Sequence, residues 1–203
     1  MPLSPVLDSI GNCSEAELVR RARQGDAAAC EELAHRHREP AFFLALQLLG
    51  NRDDALDVAQ DAMLRFFKHL HRFDTGRPVR PWLFQIVRNR VFDLFRRRKV
   101  RKHDSIDAAA ADDERPDLQL VDESVDLERD ASRAQLQKRI WQALQELSQP
   151  QREIIVLRDY QDMAYSEIAA TLNIPIGTVM SRLHGARKRL RKVLQSDLDE
   201  LLN

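Results

Sequence analysis

At 203 residues the chain has room for one large domain or two small ones. Its 43% hydrophobic content supports packed cores, and 8 Pro and 6 Gly are too few for a low-complexity or collagen-like protein. The 32 basic and 32 acidic side chains cancel, so only their distribution can point to a partner.

That distribution is uneven. From Arg77 to His103 ten Lys or Arg face a single acid, Asp93; from Asp104 to Asp130 eleven acids face Arg115 and Arg129. Between Arg182 and Lys192 there are six cations and no acid. Two separate surfaces could therefore meet a polyanion, with a segment between them that the same polyanion repels. Cys13 and Cys30 are too few and too scattered for a disulfide framework or a zinc site. Residues 1–11 lack a basic start and an apolar run, and no stretch approaches the roughly 20 apolar residues that span a bilayer. The expected location is the cytoplasm, without membrane insertion.

Taken in chain order, residues 1–13 read as a tail. Ser14 can cap a helix whose first turn carries Glu15 and Glu17, and Asp26 can cap a second after the break at Gln24-Gly25. In the second helix Ala29, Leu33, Phe42, Phe43, Leu46 and Leu49 are expected in the core, with a kink or break at Pro40. After Gly50-Asn51 a helix from about Asp53 to His71 carries Leu56, Ala59, Met63, Phe66, Phe67 and Leu70 on one stripe. Asp54, Asp57 and Asp61 lie opposite. A loop at Thr75-Gly76-Arg77-Pro78 leads to Pro81, which suits the first position of a helix bearing Trp82, Leu83, Ile86, Val87, Val91, Leu94 and Phe95. This all-α domain spans 14–102.

Residues 103–130, with four alanines from Ala108 to Ala111, Pro116 and little apolar periodicity, read as an acidic linker without stable packing. A second domain, 131–203, begins with the stripe Leu136, Ile140, Leu144 and Leu147. A helix from Pro150 to about Tyr160 follows, then Tyr165 to Leu172 and Ile176 to about Gln195, separated by Asn173-Ile174-Pro175.

The last two elements form a helix-turn-helix pattern. Ile168, Ala169 and Leu172 pack inward from the first helix, Val179 and Leu183 from the second. Thr178, Ser181, Arg182, His184, Gly185 and Lys188 fall on the other side, with Met180 at the boundary. Short hydroxyls near the N-terminus of a helix and long cations further along suit the DNA major groove; the bland alternative is a helical hairpin with a solvated basic face.

The stretch from Leu147 through Leu190 resembles region 4 of bacterial sigma factors, above all the compact extracytoplasmic-function (ECF) group. The matching residues are Tyr165-Ser-Glu-Ile-Ala169 and Pro175-Ile-Gly-Thr-Val-Met-Ser-Arg182. The resemblance implies that the second helix reads the minus-thirty-five promoter element through Thr178, Met180, Ser181, Arg182, His184, Arg187 and Lys188. Two departures stand out: Ala164 replaces the family's Ser or Thr helix cap, which costs about 1 kcal/mol if uncompensated, and Gly185 replaces a common basic residue.

Upstream, Asp54-Ala-Leu-Asp-Val-Ala-Gln-Asp61 followed by Phe66-Phe67 is similar to region 2.2 of that family, which docks on the polymerase β′ coiled coil. The implied polymerase-binding residues are Asp54, Asp57, Gln60 and Asp61. Asp57 and Asp61, four apart, repel by about 0.2 to 0.5 kcal/mol in an isolated helix, which a basic partner would relieve; acids near a helix N-terminus also simply favour its dipole. Phe73 through Arg98 resembles regions 2.3 and 2.4. Holding unpaired bases out of a duplex calls for aromatic faces, amides and a cationic track, which Phe73, Arg77, Arg80, Trp82, Arg88, Asn89, Arg96 and Arg97 supply. By resemblance, Asn89 and the loop before Trp82 capture a flipped base of the minus-ten element. Trp82 serves equally well as a core residue by its spacing from Ile86.

The resemblance implies a sigma factor with core RNA polymerase (β′ coiled coil and β flap) and promoter DNA as partners, no cofactor and no catalysis, and leaves room for an anti-sigma factor. The competing reading is a helix-turn-helix regulator that binds duplex operators without polymerase. An enzyme is the third class. The His35/His37 and His69/His71 pairs are two residues apart and so point to different helix faces, which disfavours a shared metal.

Overall fold

In the computed structural model the described residues are 10–104 and 127–201, and among them the regular structure is helical throughout. They group into two compact units, one within Met1–Leu46 and Asp53–Ala110, the other within Gln47–Arg52 and Ala111–Asn203.

The first unit opens with α1 (Glu15–Arg23), capped by the Ser14 hydroxyl, which accepts from the Glu17 amide at 3.2 Å. Asp26 caps α2 (Ala27–Leu49) by accepting from the Ala28 and Ala29 amides at 3.0 and 3.2 Å. The break expected at Pro40 does not occur: α2 runs through it, with Leu33, His37, Ala41 and Leu44 buried along one side. That continuous stripe outweighs the hydrogen bond the proline ring removes. Gly50, at φ +73°, supplies the left-handed residue that ends α2.

The stripe on α3 (Arg52–His69) is rotated from the expected one. Ala55, Val58, Ala59, Ala62 and Phe66 are buried, whereas Leu56 is 47% and Leu64 65% exposed. Small alanines let the helix backbone approach its neighbours closely, so the large leucines are left outside. Phe43, expected in the core, is likewise exposed, and Phe42 is half-buried.

A 3₁₀ turn (Leu70–Arg72) leads to α4 (Val79–Asp104), which begins two residues before the expected Pro81. Pro81 still lies in the first turn, where the missing N–H is no loss. Val79, Leu83, Phe84, Val87 and Val91 are among its buried residues. Arg23 of α1 donates to the Leu70 carbonyl at 3.0 Å and to that of Phe73, fixing the turn before α4. Glu15 ties three elements: one carboxylate oxygen lies 3.0 Å from His37 Nε2 and the other accepts from the Val79 amide at 3.3 Å.

Of the acidic linker, residues 105–126 lie outside the described residues. The rest departs from expectation, because helix α5 (Leu127–Gln145) already starts at Leu127. The run Leu127-Glu-Arg consists of good helix formers. Leu136, placed by its spacing in the core, is exposed, while Leu144 and Leu147 are buried as expected. The single helix expected over 150–160 is α6 (Gln149–Ile155) followed by a π turn (Val156–Tyr160). Arg152 of α6 donates to the Leu144 and Gln145 carbonyls at 2.9 and 2.8 Å, satisfying the C-terminus of α5.

Helices α7 (Tyr165–Leu172) and α8 (Ile176–Leu201) complete the unit, and α5, α6 and α7 all pack on α8. Their joint is a left-handed Asn173 at φ +53°, after which the Pro175 carbonyl accepts from the Thr178 and Val179 amides at 2.9 and 3.1 Å. Ile168, Thr171 and Leu172 of α7 meet Val179, Leu183 and Ala186 of α8 in the core.

Candidate nucleic-acid interface

The helix-turn-helix buries the side on which its apolar residues were expected and leaves the other side to solvent. Met180, Ser181, Arg182, His184, Arg187 and Lys188 are exposed and Thr178 is half-buried. The Ser181 hydroxyl donates to the Thr178 carbonyl at 3.2 Å. Arg187 differs from its neighbours. Its Nε lies 3.1 Å from Asp159 Oδ2, and its Nη2 pairs with the other oxygen of the same carboxylate. This two-pronged bond to Asp159 raises the guanidinium pKa further, so Arg187 joins α8 to the π turn. Sequence reading missed Asp159, because the π turn that aims it has no signature in apolar periodicity.

Ala164 has the extended backbone of a cap but no side-chain acceptor. Glu167 compensates in part, its carboxylate accepting from the Ala164 amide at 2.8 Å.

In the first unit, α4 carries the expected aromatic and basic residues on several faces. Phe73 is buried at 7% exposure and stacks 4.9 Å from Trp82, which is half-buried and also 5.3 Å from Phe66. Phe73 is therefore a support beneath Trp82 and does not present its face to solvent. Arg77 is exposed in the loop, near Asp74 at 3.4 Å. Arg80 lies over the buried Phe84 ring at 5.1 Å, and Arg88 over Phe92 at 4.4 Å. Asn89, Arg96 and Arg97 are exposed. Asn89 and Arg96 open onto a cleft of about 540 Å³ that Arg65, His69, Phe92 and Asp93 also line; its walls come from two helices, so local spacing does not reveal it.

The acids of α3 divide into two kinds. Asp61 pairs with Arg65 at 3.1 Å and with Arg90 of α4, which also reaches Asp93 at 3.2 Å. Asp54 pairs with Arg98 of α4 at 2.6 Å. Asp57 and Gln60 are exposed, beside the exposed Leu56 and Leu64. The repulsion expected between Asp57 and Asp61 is thus met within the chain, by two arginines on Asp61. Leu56 was missed because it was assigned to the core, and Leu64 lay outside the stripe and was given no role. Among the described residues no group of three or more potential metal ligands occurs, and no helix is long and apolar enough to cross a membrane.

A helix-turn-helix unit with a cationic outer helix, in one chain with an arginine-rich helical unit, defines a DNA-binding protein. Comparison with known proteins narrows the class. The family description "Sigma-70 region 2" matches residues 33–101 and "Sigma-70, region 4" matches 137–190. The chain is 34% identical over 179 residues to the RNA polymerase sigma factor NccH of Alcaligenes xylosoxydans xylosoxydans, covering 88% of this chain and 94% of that one. It is 29% identical over 177 residues to the ECF RNA polymerase sigma factor SigW of Bacillus subtilis, covering 87% and 95%. Among solved structures it is similar to CnrH in complex with the cytosolic domain of CnrY, at 28% identity and TM-score 0.67 over 90% of this chain and 98% of that one. A second likeness, at 26% identity and TM-score 0.61 over 82% and 97%, is to the sigma factor RpoE in complex with the anti-sigma factor NepR from Bartonella quintana. The chain belongs to the sigma-70 family, as a sigma factor of the ECF group that directs promoter-specific transcription.

Proposed function

We propose that the two units divide promoter recognition, with the first, about 14–102, docking on core polymerase and capturing the melted minus-ten element, and the second, about 131–203, reading the minus-thirty-five element. The observation that carries this division is the outer face of α3. Exposed Leu56, Asp57, Gln60 and Leu64 form a mixed acidic and apolar surface that a duplex-binding regulator has no use for, since DNA would repel Asp57. Leu56 and Leu64 are assigned to the docking face alongside Asp57 and Gln60. Asp54 and Asp61 shape it from the side through their arginine partners.

For the minus-ten element, Asn89, Arg96 and Arg97 with Arg88 over Phe92 offer amide, cationic and aromatic contacts, and Trp82 rests on Phe73. Arg77 and Arg80 flank the loop before Trp82. For the minus-thirty-five element the contacting residues are Thr178, Met180, Ser181, Arg182, His184 and Lys188; Arg187 holds α8 in place through Asp159. The protein acts in the cytoplasm, catalyses nothing itself, and takes an anti-sigma factor as a further partner, as the sigma factor RpoE of Bartonella quintana takes NepR.

The test is reconstitution with core polymerase at low salt. The full chain should join the enzyme and support initiation from a defined start. Asp57→Lys should weaken that association while leaving full-chain binding to a minus-thirty-five duplex unchanged. Equal losses in both assays, or no association by the unmodified chain, would overturn the division.

A further inference from the structure

The first two turns of α8 carry an unusual surface for a helix that meets a polyanion. Met180 is 54% and Ile176 48% exposed. They stand four residues apart, hence on one side of the helix, to one flank of the buried row Val179, Leu183 and Ala186. Around them the exposed surface is polar and cationic, with Ser181, Arg182, His184 and Lys188. That setting selects nucleic acid over an apolar protein groove as the occupant.

We infer that Met180, with Ile176 beside it, reads the C5 methyl of a thymine in the major groove of the minus-thirty-five element; this rests on α8 being the helix that reads that element. The chemistry leaves few alternatives. The N-terminal residues of a recognition helix are the ones that reach base edges. Met180 has no hydrogen to donate, so it cannot supply the paired contact to guanine O6 and N7 that Arg or Lys makes there. The thymine methyl is the one apolar group on the major-groove edge, and contact with it is worth having only for an apolar side chain. The polar neighbours Arg182, His184 and Lys188 can donate to phosphates or base acceptors but offer no apolar contact to a methyl, while the Ser181 hydroxyl is turned to the Thr178 carbonyl and Arg187 is held by Asp159. The unbranched thioether follows the methyl into place more readily than a branched chain would.

Reconstituted holoenzyme first selects its preferred promoter from a randomised duplex pool. Each thymine of the selected minus-thirty-five element is then replaced singly by deoxyuridine, which removes the methyl and keeps every base-pairing and groove hydrogen bond. One such replacement should weaken promoter binding by about fourfold, the effect of unburying one methyl group. With Met180→Ala, at an exposed site that threatens no core, that same replacement should cost nothing further, closing a double-mutant cycle. Deoxyuridine without effect at every position overturns the inference and assigns the exposed pair to a protein partner. A thymine-free element, or a penalty that persists in Met180→Ala, overturns it as well. Failure of the chain to form holoenzyme appears before any base is altered, and it overturns the reading of α8 together with this inference.

Discussion

Replacing Asp61 by alanine leaves the Arg90 guanidinium, whose side chain is only 18% exposed, with Asp93 as its remaining carboxylate at 3.2 Å. The loss has two parts. The Arg65 pair is largely solvated and one helical turn apart, and such pairs contribute about 0.3 to 0.5 kcal/mol. Stripping one carboxylate from a mostly buried guanidinium costs more, though less than the 3 to 5 kcal/mol of a fully uncompensated charge, because Asp93 stays; about 1 to 2 kcal/mol is the reasoned share. Together they come to about 2 kcal/mol, or a fall in Tm of about 8 to 16 °C for a unit of this size. Asp57→Ala, on the exposed side of the same helix, should stay within about 0.5 kcal/mol of the parent. The assay is thermal unfolding read by Trp82 emission in a Trp141→Phe background, which isolates the first unit because the chain has 2 Trp. Melting of the two variants within about 2 °C of each other would refute the claim that Asp61 is held for the fold and Asp57 for a partner.

Phe73→Ala should destabilise the first unit by about 3 to 5 kcal/mol, since it empties a buried ring site under Trp82; a loss of promoter opening without a change in urea midpoint would instead make Phe73 a direct DNA contact. The hydrogen bond from His37 holds the Glu15 carboxyl below its ordinary value of 4.5, so its stabilising tie is complete above that pH and fades as pH falls through the lower folded value. Glu15→Gln should therefore show a shallower loss of stability than the parent in acid denaturation, and parallel curves would refute the tie. Ala164→Ser should add about 1 kcal/mol to the second unit by giving α7 the side-chain acceptor that Glu167 does not replace, read as a higher urea midpoint. Asp159→Asn releases Arg187 toward phosphate, so the slope of log affinity against log salt on duplex DNA should steepen by about 0.9; an unchanged slope would show that Arg187 stays in place without its partner.

What could be read ahead of the structure was whatever depends on local spacing. The caps at Ser14 and Asp26, the span of α7 and the start of α8 follow from hydroxyl or carboxylate caps and from Asn173-Ile174-Pro175, all local signals. The errors have a common source as well. Leu56, Phe43 and Leu136 were weighed by size, but close approach of helices favours small residues, and α3 turns Ala55, Ala59 and Ala62 inward. The π turn after Ile155 shifts the helical phase by an irregularity that no 3.6-residue period encodes, and it is this turn that brings Asp159 to Arg187. Contacts across the first unit, such as Arg98 with Asp54 or Glu15 with Val79, join residues far apart in sequence and could not be inferred from spacing.

The count of cations along the sequence therefore overstates what each surface offers to DNA. In the stretch from Arg77 to His103, Arg90 and Arg98 pair with Asp61 and Asp54 of α3, and Arg90 and Arg96 share Asp93. Asp93 is the one acid in that stretch, which looked like an exception and instead couples two of its arginines. Arrangement of this kind gives a specific reason for basic helices to be interleaved with acids at chosen places. A track of unpaired arginines would grip any phosphate backbone and gain affinity without selectivity, because backbone contacts carry no sequence information. Restraining Arg90, Arg98 and Arg187 internally lowers that unselective share. On the reading proposed above, discrimination then falls to groups that can tell one base from another, such as Asn89 in the first unit and Met180 on α8 in the second.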